Sequence, residues 1–435
     1  MKTKLSRDNF INIITLGCAK NIYDSEVLMN QLNANNFSVK NNSAKSSPIV
    51  IINTCGFIDT AKEQSINTII ENVNKKKKGL IDKLYVTGCL SHRYKDDLKK
   101  EIPEVDEYFG TRSLPDLLKV LKADYRKDLL GHRSLTTPKH FAYLKISEGC
   151  NRKCSFCAIP LMRGKHISKP IDELISEANN LAAQGVKEII LIAQDLSFYG
   201  IDLYKKHMLN ELLLKLCEVD GIEWIRLHYL YPAGFPKEIL KTINNNKKIC
   251  NYIDMPLQHI SDNVLKSMRR GINKNKTEEL IKIIRDSLDK VAIRTSFVVG
   301  SPQESDRDFE ELVDWISEVK FDRLGVFTYS HEEDTHFYKL KDNISQDLKN
   351  KRKDLLMNIQ REISSDLNAS KLGNVYKVLF DYVENGYFIG RTEFDSPDVD
   401  NEVRVKVDNN YVRLGDFTDV EIIKTDYYDL YGKLL

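Results

Sequence analysis

The feature that most constrains this 435-residue chain is a group of three cysteines, Cys150, Cys154 and Cys157, within one stretch of eight residues. They follow a short apolar run at 143–147, so the stretch begins where a predicted strand ends. Three thiolates on one loop can bind three irons of a 4Fe–4S cube, whereas a cluster that only carries electrons normally has four thiolate ligands. The remaining iron would stay open to a substrate or a cofactor.

Other uses of three clustered cysteines fit the sequence less well. A structural zinc site takes four protein ligands, usually from two separated Cys-x-x-Cys pairs, and this chain has neither a second pair nor a histidine at ligand spacing nearby. Disulfide frameworks are typical of short exported chains, whereas only eight cysteines stand in this long chain. Three buried thiols are the remaining alternative, but Asn151, Arg152 and Lys153 make the loop poor core material.

A second set of three cysteines follows three predicted strands near the N-terminus. The strand-like runs, each ending in a turn with glycine and cysteine, are 11–18, 49–56 and 83–90. Helical patterns at 24–33 and 60–74 separate them, as in a parallel α/β sheet. Ligands of such sheets bind at the carboxyl ends of the strands, so we predict that Cys18, Cys55 and Cys89 converge as a second site one ligand short of four. Three ordinary buried cysteines are the alternative.

Residues 142 to about 340 continue the alternation of strand and helix. The candidate strands are 142–147, 187–194, 222–230, 251–257, 291–299 and 323–329. Six βα units are too few for an eight-stranded barrel, so we predict a partial barrel. Its chemistry should lie at the carboxyl ends of the strands, which is the side on which the first cysteine group lies.

After a long amphipathic helix predicted at 344–371, the pattern changes to short alternating runs. These runs are 375–382, 386–392, 402–407 and 419–424. They predict a small antiparallel β-barrel. Residues 373–435 contain seven Lys or Arg and thirteen Asp or Glu, a net charge of −6, which leaves +8 on the rest of the chain.

The predicted fold class is therefore α/β with three domains. They are an N-terminal α/β domain at 8–125, a partial (βα)6 barrel with its connector helix at 136–372 and a small β-barrel at 373–435. No apolar run approaches the ~18 residues of a membrane span, and the first residues lack the apolar segment of a secretory signal. We therefore expect a cytoplasmic protein that does not contact a membrane.

The Cys-x-x-x-Cys-x-x-Cys motif, with Phe156 before its last cysteine, resembles that of the radical S-adenosylmethionine (SAM) superfamily. The order of the three domains resembles the methylthiotransferases of that superfamily, which implies a TRAM-type C-terminal barrel. Three stretches are similar to the branch that modifies an aspartate of ribosomal protein S-twelve rather than transfer RNA: Glu148–Pro160, His228–Pro232 and Tyr252–His259.

The resemblance implies two [4Fe–4S] clusters and SAM as cofactors. The ligands of a SAM-cleaving cluster would be Cys150, Cys154 and Cys157. The ligands of an auxiliary cluster that handles sulfur would be Cys18, Cys55 and Cys89. No catalytic residue beyond these ligands is predicted, and Cys217 and Cys250 are interpreted as buried thiols outside the pattern.

Other residues have weaker indications. Phe156 and Val299, the latter in the strand end 298–302, would lie against the adenine of SAM, and an ordinary strand-to-loop turn is the alternative. Residues at presumed strand ends could face the same site, although a structural histidine is at least as common. These residues are His228, Tyr229, Gln258 and His259.

Three functions compete. The first is methylthiolation of an aspartate in ribosomal protein S-twelve, with flavodoxin or ferredoxin as electron donor. The second applies the same chemistry to an adenosine of transfer RNA, and the third is a non-catalytic iron–sulfur protein that binds RNA. A barrel of charge −6 repels phosphate and attracts a basic ribosomal protein, so we predict no direct nucleic-acid binding by the C-terminal domain.

Overall fold

The computed structural model describes residues 9–129, 131–408 and 411–435, which form two compact units. The first unit contains the described residues up to Thr137, together with Tyr143–Arg152 and Ala158–Asn180. The second contains Pro138–Ala142, Lys153–Cys157 and Leu181–Leu435. The three domain ranges stay predictions. Residue 8, where the first range begins, and residues 409 and 410 of the third range lie outside the described residues.

The N-terminal part of the first unit alternates strands and helices. Its elements are β1 (Phe10–Thr15), α1 (Ala19–Ala34), β2 (Ser38–Asn41), β3 (Ile49–Thr54), α2 (Asp59–Lys77), β4 (Lys83–Gly88), α3 (Cys89–Arg93), α4 (Lys95–Glu101), β5 (Glu107–Tyr108) and α5 (Leu114–Val120). The strands form one sheet in the order β2-β1-β3-β4-β5, with every pairing parallel. The predicted parallel α/β sheet is confirmed, with β2 and β5 as additional edge strands.

Both faces of this sheet are covered because successive side chains of a strand point to opposite faces. In β3, Ile51 packs in a core with Leu28 and Leu32 of α1, whereas Ile52 packs with Ile69 of α2. Burial on both sides explains why the strands read as continuous β-branched runs. Each strand ends before its cysteine, at Thr15, Thr54 and Gly88.

The segment 141–183, most of which belongs to the first unit, consists of short elements and one longer helix. The next elements in chain order are β6 (Phe141–Lys145), β7 (Ser147–Glu148), α6 (Ile159–Arg163), β8 (Ile167–Ser168) and α7 (Ile171–Ala183). β7 and β8 pair antiparallel, on either side of the cysteine loop and α6.

The second unit carries the remaining βα elements. They are β9 (Glu188–Ile192), α8 (Ile201–Tyr204), α9 (Leu209–Cys217), β10 (Trp224–Leu227), α10 (Glu238–Asn245), β11 (Ile249–Asp254), α11 (Asp262–Ser267), α12 (Lys274–Ser287), β12 (Ala292–Val299), α13 (Asp306–Val319), β13 (Arg323–Thr328) and α14 (Gln346–Ala369). Short 3₁₀ helices occupy Lys127–Leu129, Leu196–Phe198 and Phe337–Lys339.

All six predicted strands of the partial barrel are present, in the sheet order β13-β12-β11-β10-β9-β6. Each strand neighbours the next one along the chain, as repeated βα units require. Cys250, inside β11, is buried as predicted, but the prediction of a buried thiol is wrong for Cys217, which is only partly buried because it is the last residue of α9. The connector helix α14 buries Leu356 and Ile363 and donates a hydrogen bond from Gln360 to the carbonyl of Phe321.

The C-terminal barrel is closed. Its strands are β14 (Val375–Glu384), β15 (Tyr387–Arg391), β16 (Val403–Lys406), β17 (Phe417–Thr425) and β18 (Leu430–Leu434), in the order β14-β15-β16-β18-β17. The pairings are antiparallel except between β16 and β18. The alternating pattern predicted four of these strands and missed β18. Among the described residues, no helix combines the length and the apolar character that crossing a membrane requires.

Candidate functional site

The first cysteine site is built on three neighbouring strands of the N-terminal sheet. Cys18 is the N-cap residue of α1, Cys55 follows β3 directly and Cys89 is the first residue of α3. Because β1, β3 and β4 are parallel neighbours, their carboxyl ends share one edge, and the three cysteines lie along that edge as predicted.

The three thiols are close enough to affect one another's ionisation. Burial raises the pKa of Cys55, and the neighbouring Cys18 raises it further. Burial also raises the pKa of Cys89, to about 12, with Arg163 acting in the opposite direction. Cys18 is exposed while the other two are buried, so this edge offers three sulfur donors with one accessible side.

Glycines allow the cysteine turns to approach closely. A Cβ atom at Gly17, which has φ +89°, would lie 2.7 Å from the Cβ of Cys55 and 2.9 Å from its Sγ. A Cβ at Gly56 would lie 2.9 Å from backbone atoms of Leu90. A larger residue at either position would push the three cysteine-bearing turns apart.

A buried arginine contacts one of these thiols. Arg163, the last residue of α6, donates from Nε to the Sγ of Cys89 at 3.2 Å. Its Nη1 donates to Asp24 at 2.7 Å and to Glu148 at 3.1 Å, and its Nη2 donates to the side-chain oxygen of Asn21. The arginine therefore places a donor and a positive charge beside one sulfur of the site.

Glu148, one of the carboxylates that hold this arginine, stays ionised. Lys145 pairs with Glu148 at 2.7 Å and also with Asp24. Burial works against ionisation of Glu148, but Lys145 and Arg163 bring its pKa down to about 2. Two cations and two carboxylates thus form one balanced group inside the first unit.

The second cysteine site is the loop between β7 and α6. Its first part belongs to the first unit, where the N–H of Cys150 donates to the carbonyl of Gly164 at 3.0 Å and the N–H of Arg152 donates to the Sγ of Cys150 at 3.4 Å. Its second part belongs to the second unit, where the N–H of Cys157 donates to the carbonyl of Cys154 at 3.2 Å. Cys150 thus belongs to the first unit, and Cys154 and Cys157 belong to the second.

Cys154 also has an arginine beside its sulfur. Arg270 donates from Nη1 to the Sγ of Cys154 at 3.4 Å, and the hydroxyl of Tyr231 lies 3.5 Å from the same sulfur. The guanidinium of Arg270 stacks 4.2 Å from the centre of the Tyr231 ring, and that hydroxyl donates to the Arg270 carbonyl at 2.9 Å. The two side chains fix each other against the cysteine.

The structure places the two residues predicted to contact SAM differently. Phe156 packs in one apolar cluster with Val298, Met268 and Phe337, at the end of β12. Val299 is fully buried, and its carbonyl accepts the N–H of Tyr329 at 2.8 Å. Phe156 is therefore joined to the predicted strand end through Val298, and the contact of Val299 with SAM stays a prediction.

Both histidines among the weaker candidates have structural partners. The Nε2 of His228 lies 2.8 Å from the hydroxyl of Ser396, and the Nδ1 of His259 accepts the N–H of Ser261 at 3.1 Å. Burial lowers the pKa of His259 to about 3, so its ring is neutral at physiological pH. These contacts favour the structural alternative for both rings.

The other two weaker candidates have unusual backbones. Tyr229 and Gln258 have positive φ angles, of 64° and 76°. The N–H of Tyr229 donates to Asp254, and that of Gln258 donates to the carbonyl of Ser296. Both backbone N–H groups therefore bind residues of neighbouring strands, which is a structural role.

Each donor set consists of three thiols, the ligand type of iron–sulfur clusters. Within the described ranges, no three His, Cys, Asp or Glu side chains are grouped so that they could hold one metal ion. In a 4Fe–4S cube each cysteine binds a different iron, so its ligands spread more widely than those of a single ion. Three thiols at one sheet edge, with Arg163 donating to one of them, fit this requirement.

Three side chains that lie beside a cysteine sulfur were not predicted from the sequence. They are Arg163, Arg270 and Tyr231. Nothing in a single sequence distinguishes such arginines from surface ones. The only signal was position, since Arg163 follows the last cysteine of its loop by six residues and Tyr231 lies in one of the similar stretches.

Comparisons with family models match three parts of the chain. Residues 144–316 match the radical SAM superfamily, residues 372–435 match the TRAM domain and residues 10–110 match a family described as uncharacterized protein family UPF0004. These ranges include all six cysteines of the two sites.

Comparisons with curated proteins find similarity along the whole length. The chain is 57% identical over 435 residues to a protein of Christiangramia forsetii named ribosomal protein uS12 methylthiotransferase RimO, covering 100% of this chain and 96% of that protein. It is also 57% identical to the protein of the same name from Flavobacterium johnsoniae, covering 100% of both.

Among solved structures, the chain resembles the radical S-adenosylmethionine methyltransferase TsrM from Kitasatospora setae. The TM-score is 0.54 at 15% sequence identity, covering 74% of this chain and 72% of that one. At this identity the similarity concerns the fold, and it agrees with a radical SAM partial barrel.

Proposed function

This chain belongs to the ribosomal protein uS12 methylthiotransferase family of the radical SAM superfamily, and from that premise we propose its reaction. It is a SAM-dependent transferase that inserts sulfur and a methyl group at the β-carbon of an aspartate in ribosomal protein S-twelve. The observation that carries the proposal is the pair of cysteine triads, each one ligand short of four, in a chain that matches these relatives from end to end.

The enzyme uses SAM and an iron–sulfur cluster. We assign this cluster to Cys150, Cys154 and Cys157, and a second, auxiliary cluster to Cys18, Cys55 and Cys89. When bound, these groups supply hydrogen abstraction from an unactivated carbon and the sulfur that replaces the hydrogen, chemistry that no amino-acid side chain provides.

The protein contributes ligation, positioning and shielding. Each triad leaves one iron of its cube without a protein ligand, which provides a place for SAM in one site and for sulfur in the other. Burial of Cys55 and Cys89 keeps water from two of the three sulfurs of the auxiliary site, while exposed Cys18 marks the side from which substrate would reach it. Holding the sulfur close to the reacting carbon favours its insertion over reaction with solvent.

The proposal includes what the reaction consumes. The transferred methyl comes from a second SAM molecule, so two SAM are used for each product. A small electron carrier such as flavodoxin or ferredoxin reduces the cluster that binds SAM. Irons with an open position react with oxygen, so we expect activity only under low oxygen.

Buried ion pairs weaken the use of the acidic C-terminal barrel as an argument against the transfer-RNA alternative. Asp395 pairs with Arg323 and Asp400 pairs with Arg294, and both carboxylates are only 1% exposed. Part of the −6 charge is therefore neutralised inside the second unit and is not presented to solvent. The names of the relatives, rather than this charge, favour the ribosomal protein over RNA.

Mass spectrometry of ribosomal protein S-twelve from cells with and without this gene tests the proposed substrate. We expect an aspartate that carries a methylthio group only when the gene is present. An unmodified aspartate in both samples, together with a gene-dependent methylthioadenosine in transfer RNA, would replace the proposal with its alternative. A strain expressing Cys217→Ala is the matched control, since that thiol lies outside both sites and its loss should leave the modification intact.

A further inference from the structure

Arg163 connects the segment after the cysteine loop to the auxiliary site. It stands six residues beyond Cys157 in the chain, yet its Nε donates to the Sγ of Cys89 at 3.2 Å. We infer that Arg163 is a positioning residue that raises the reduction potential of the auxiliary cluster by donating to the sulfur of Cys89. This inference rests on the proposed function, which assigns Cys89 to that cluster.

The guanidinium of Arg163 is held in place by acceptors on several elements. Asp24 and Asn21 belong to α1, and Glu148 belongs to β7. The planar guanidinium has five N–H donors in a fixed arrangement, so fixing Nη1 and Nη2 also fixes the direction of Nε. Arg163 is 3% exposed, so its donor reaches the sulfur without competition from bulk water. The geometry is that of a side chain positioned to contact a thiolate.

Replacing Arg163 by Gln removes both the donor and one positive charge, whereas replacing it by Lys removes the fork of donors and keeps the charge. Arg163 and Lys145 are balanced by Asp24 and Glu148, so the group as a whole brings no net charge to the site. What it does bring is an oriented N–H directed at sulfur. Hydrogen bonds to the sulfurs are one of the factors that set the potential of an iron–sulfur cluster, because reduction adds negative charge that the donor stabilises.

Among the two buried cysteines of the site, only Cys89 receives this donor from a side chain. The ionisation of Cys55 is assisted by the backbone N–H of Phe57, by the charge of Arg163 and by the backbone N–H of Gly56. Only proline removes a backbone donor, and it also fixes the main chain, whereas the side-chain donor at Cys89 can be removed by an ordinary substitution. This difference makes the inference testable at one residue.

The test uses the full-length chain with Cys150, Cys154 and Cys157 all replaced by Ala, so that iron can bind only at the N-terminal site. Into this parent we introduce Arg163→Gln and, separately, Arg163→Lys. The control is Arg133→Gln, because Arg133 is also a buried arginine of the first unit and pairs with Glu26 at 2.8 Å and Glu177 at 3.0 Å. Iron content and the midpoint potential, from an anaerobic titration followed by electron paramagnetic resonance, are measured for each.

We expect Arg163→Gln to shift the reduction equilibrium about tenfold toward the oxidised cluster, which corresponds to about 59 mV for one electron. Arg163→Lys, which keeps the charge but not the fork of donors, should give a smaller shift in the same direction. Arg133→Gln should lower stability without moving the potential. A merely structural role for Arg163 would instead leave the potential unchanged wherever iron is bound.

The outcomes separate this inference from the proposal on which it rests. A potential equal to that of the parent in an iron-loaded Arg163→Gln protein overturns the inference and leaves the proposed function standing. If that variant binds no iron, Arg163→Lys takes its place, and an unshifted potential there has the same meaning. A parent that binds no iron overturns the auxiliary cluster itself.

Discussion

The two cysteine triads of this chain are built in opposite ways. Cys150, Cys154 and Cys157 share one loop, so their spacing in the sequence already brings them together. Cys18, Cys55 and Cys89 stand more than thirty residues apart and meet only because three parallel strands end at one edge. The first site therefore depends on the local sequence of one loop, whereas the second depends on the folded sheet.

The sites nevertheless share one design feature. Each has an arginine nitrogen beside one sulfur, Arg270 at 3.4 Å from Cys154 and Arg163 at 3.2 Å from Cys89. What differs is the dependence on tertiary structure, and with it the expected response to substitution, to removal of iron and to pH.

The largest expected effect is on SAM cleavage at the loop site. Replacing Cys154 by Ala removes one of three ligands of the cluster proposed to bind SAM, so release of 5′-deoxyadenosine should be abolished. The assay is chromatographic detection of this product under anaerobic conditions with a chemical reductant. Cys217→Ala should behave like the unmodified protein, and continued release from the Cys154 variant would remove the assignment of the loop.

Replacing Cys55 by Ala should separate the two sites. SAM cleavage should persist because the loop is intact, while the methylthiolated protein product should be lost because sulfur is no longer held. Product is measured by mass spectrometry and 5′-deoxyadenosine by chromatography in the same reaction. Normal methylthiolation by this variant would show that the N-terminal cysteines do not supply the sulfur site.

Removal of iron from the sheet-edge site of Cys18, Cys55 and Cys89 should lower the free energy of unfolding more than removal of iron from the loop site. A cluster at Cys18, Cys55 and Cys89 closes two long segments of chain, and loop-closure entropy rises with length by about 1 to 2 kcal/mol per loop relative to loops of a few residues. Iron bound there should therefore add about 3 kcal/mol more to the free energy of unfolding than iron in the loop.

The measurement for this third prediction is anaerobic denaturant unfolding with and without bound iron. It compares a protein lacking the three loop cysteines with a protein lacking the three N-terminal cysteines. Equal stabilisation by iron in the two proteins would contradict the contrast between the sites.

The smallest expected effect is a difference in acid sensitivity between the two units. His259, in the second unit, is buried, and its pKa falls to about 3 from the ordinary 6.5. The unfolded chain therefore takes up the proton first, and stability falls as the pH drops below 6.5, by about 2 kcal/mol between pH 7 and pH 5. Glu148, in the first unit, has a pKa of about 2, so its contribution is lost only as the pH falls below about 4.5.

Denaturant unfolding of the protein and of His259→Gln between pH 7 and pH 5 checks this difference. The variant should lose less stability over that range than the original chain. If the two proteins lose the same stability between pH 7 and pH 5, protonation of His259 does not contribute to the pH dependence of folding.

The contrast between the triads also explains which parts of the two sites could be predicted from the sequence. The loop site could be predicted from spacing alone, and the sheet-edge site needed only the rule that ligands bind at the carboxyl ends of parallel strands. Strands β2 and β5 were missed because short edge strands carry little periodic signal, and β18, which lies between β16 and β17 in the closed barrel, was missed as well. Helix α2 begins at Asp59, one residue before the helical pattern predicted at 60–74.

What sequence could not give was the pairing of charges. Arg163 and Arg270 look like ordinary polar residues until the fold places them beside sulfur. The acidic composition of the C-terminal barrel looked like a solvent-facing property, yet Asp395 and Asp400 are buried against arginines of the partial barrel. Composition counts charges, but only tertiary structure shows which of them are buried and paired.

Iron and acid-labile sulfide analysis of the anaerobically purified chain tests the central claim most directly. Two cubes, each held by three cysteines, predict about eight irons and about eight sulfides per chain. A content of about four, with Cys55→Ala causing no further loss, would mean that the N-terminal cysteines do not hold a cluster. No iron at all after anaerobic reconstitution would contradict both sites.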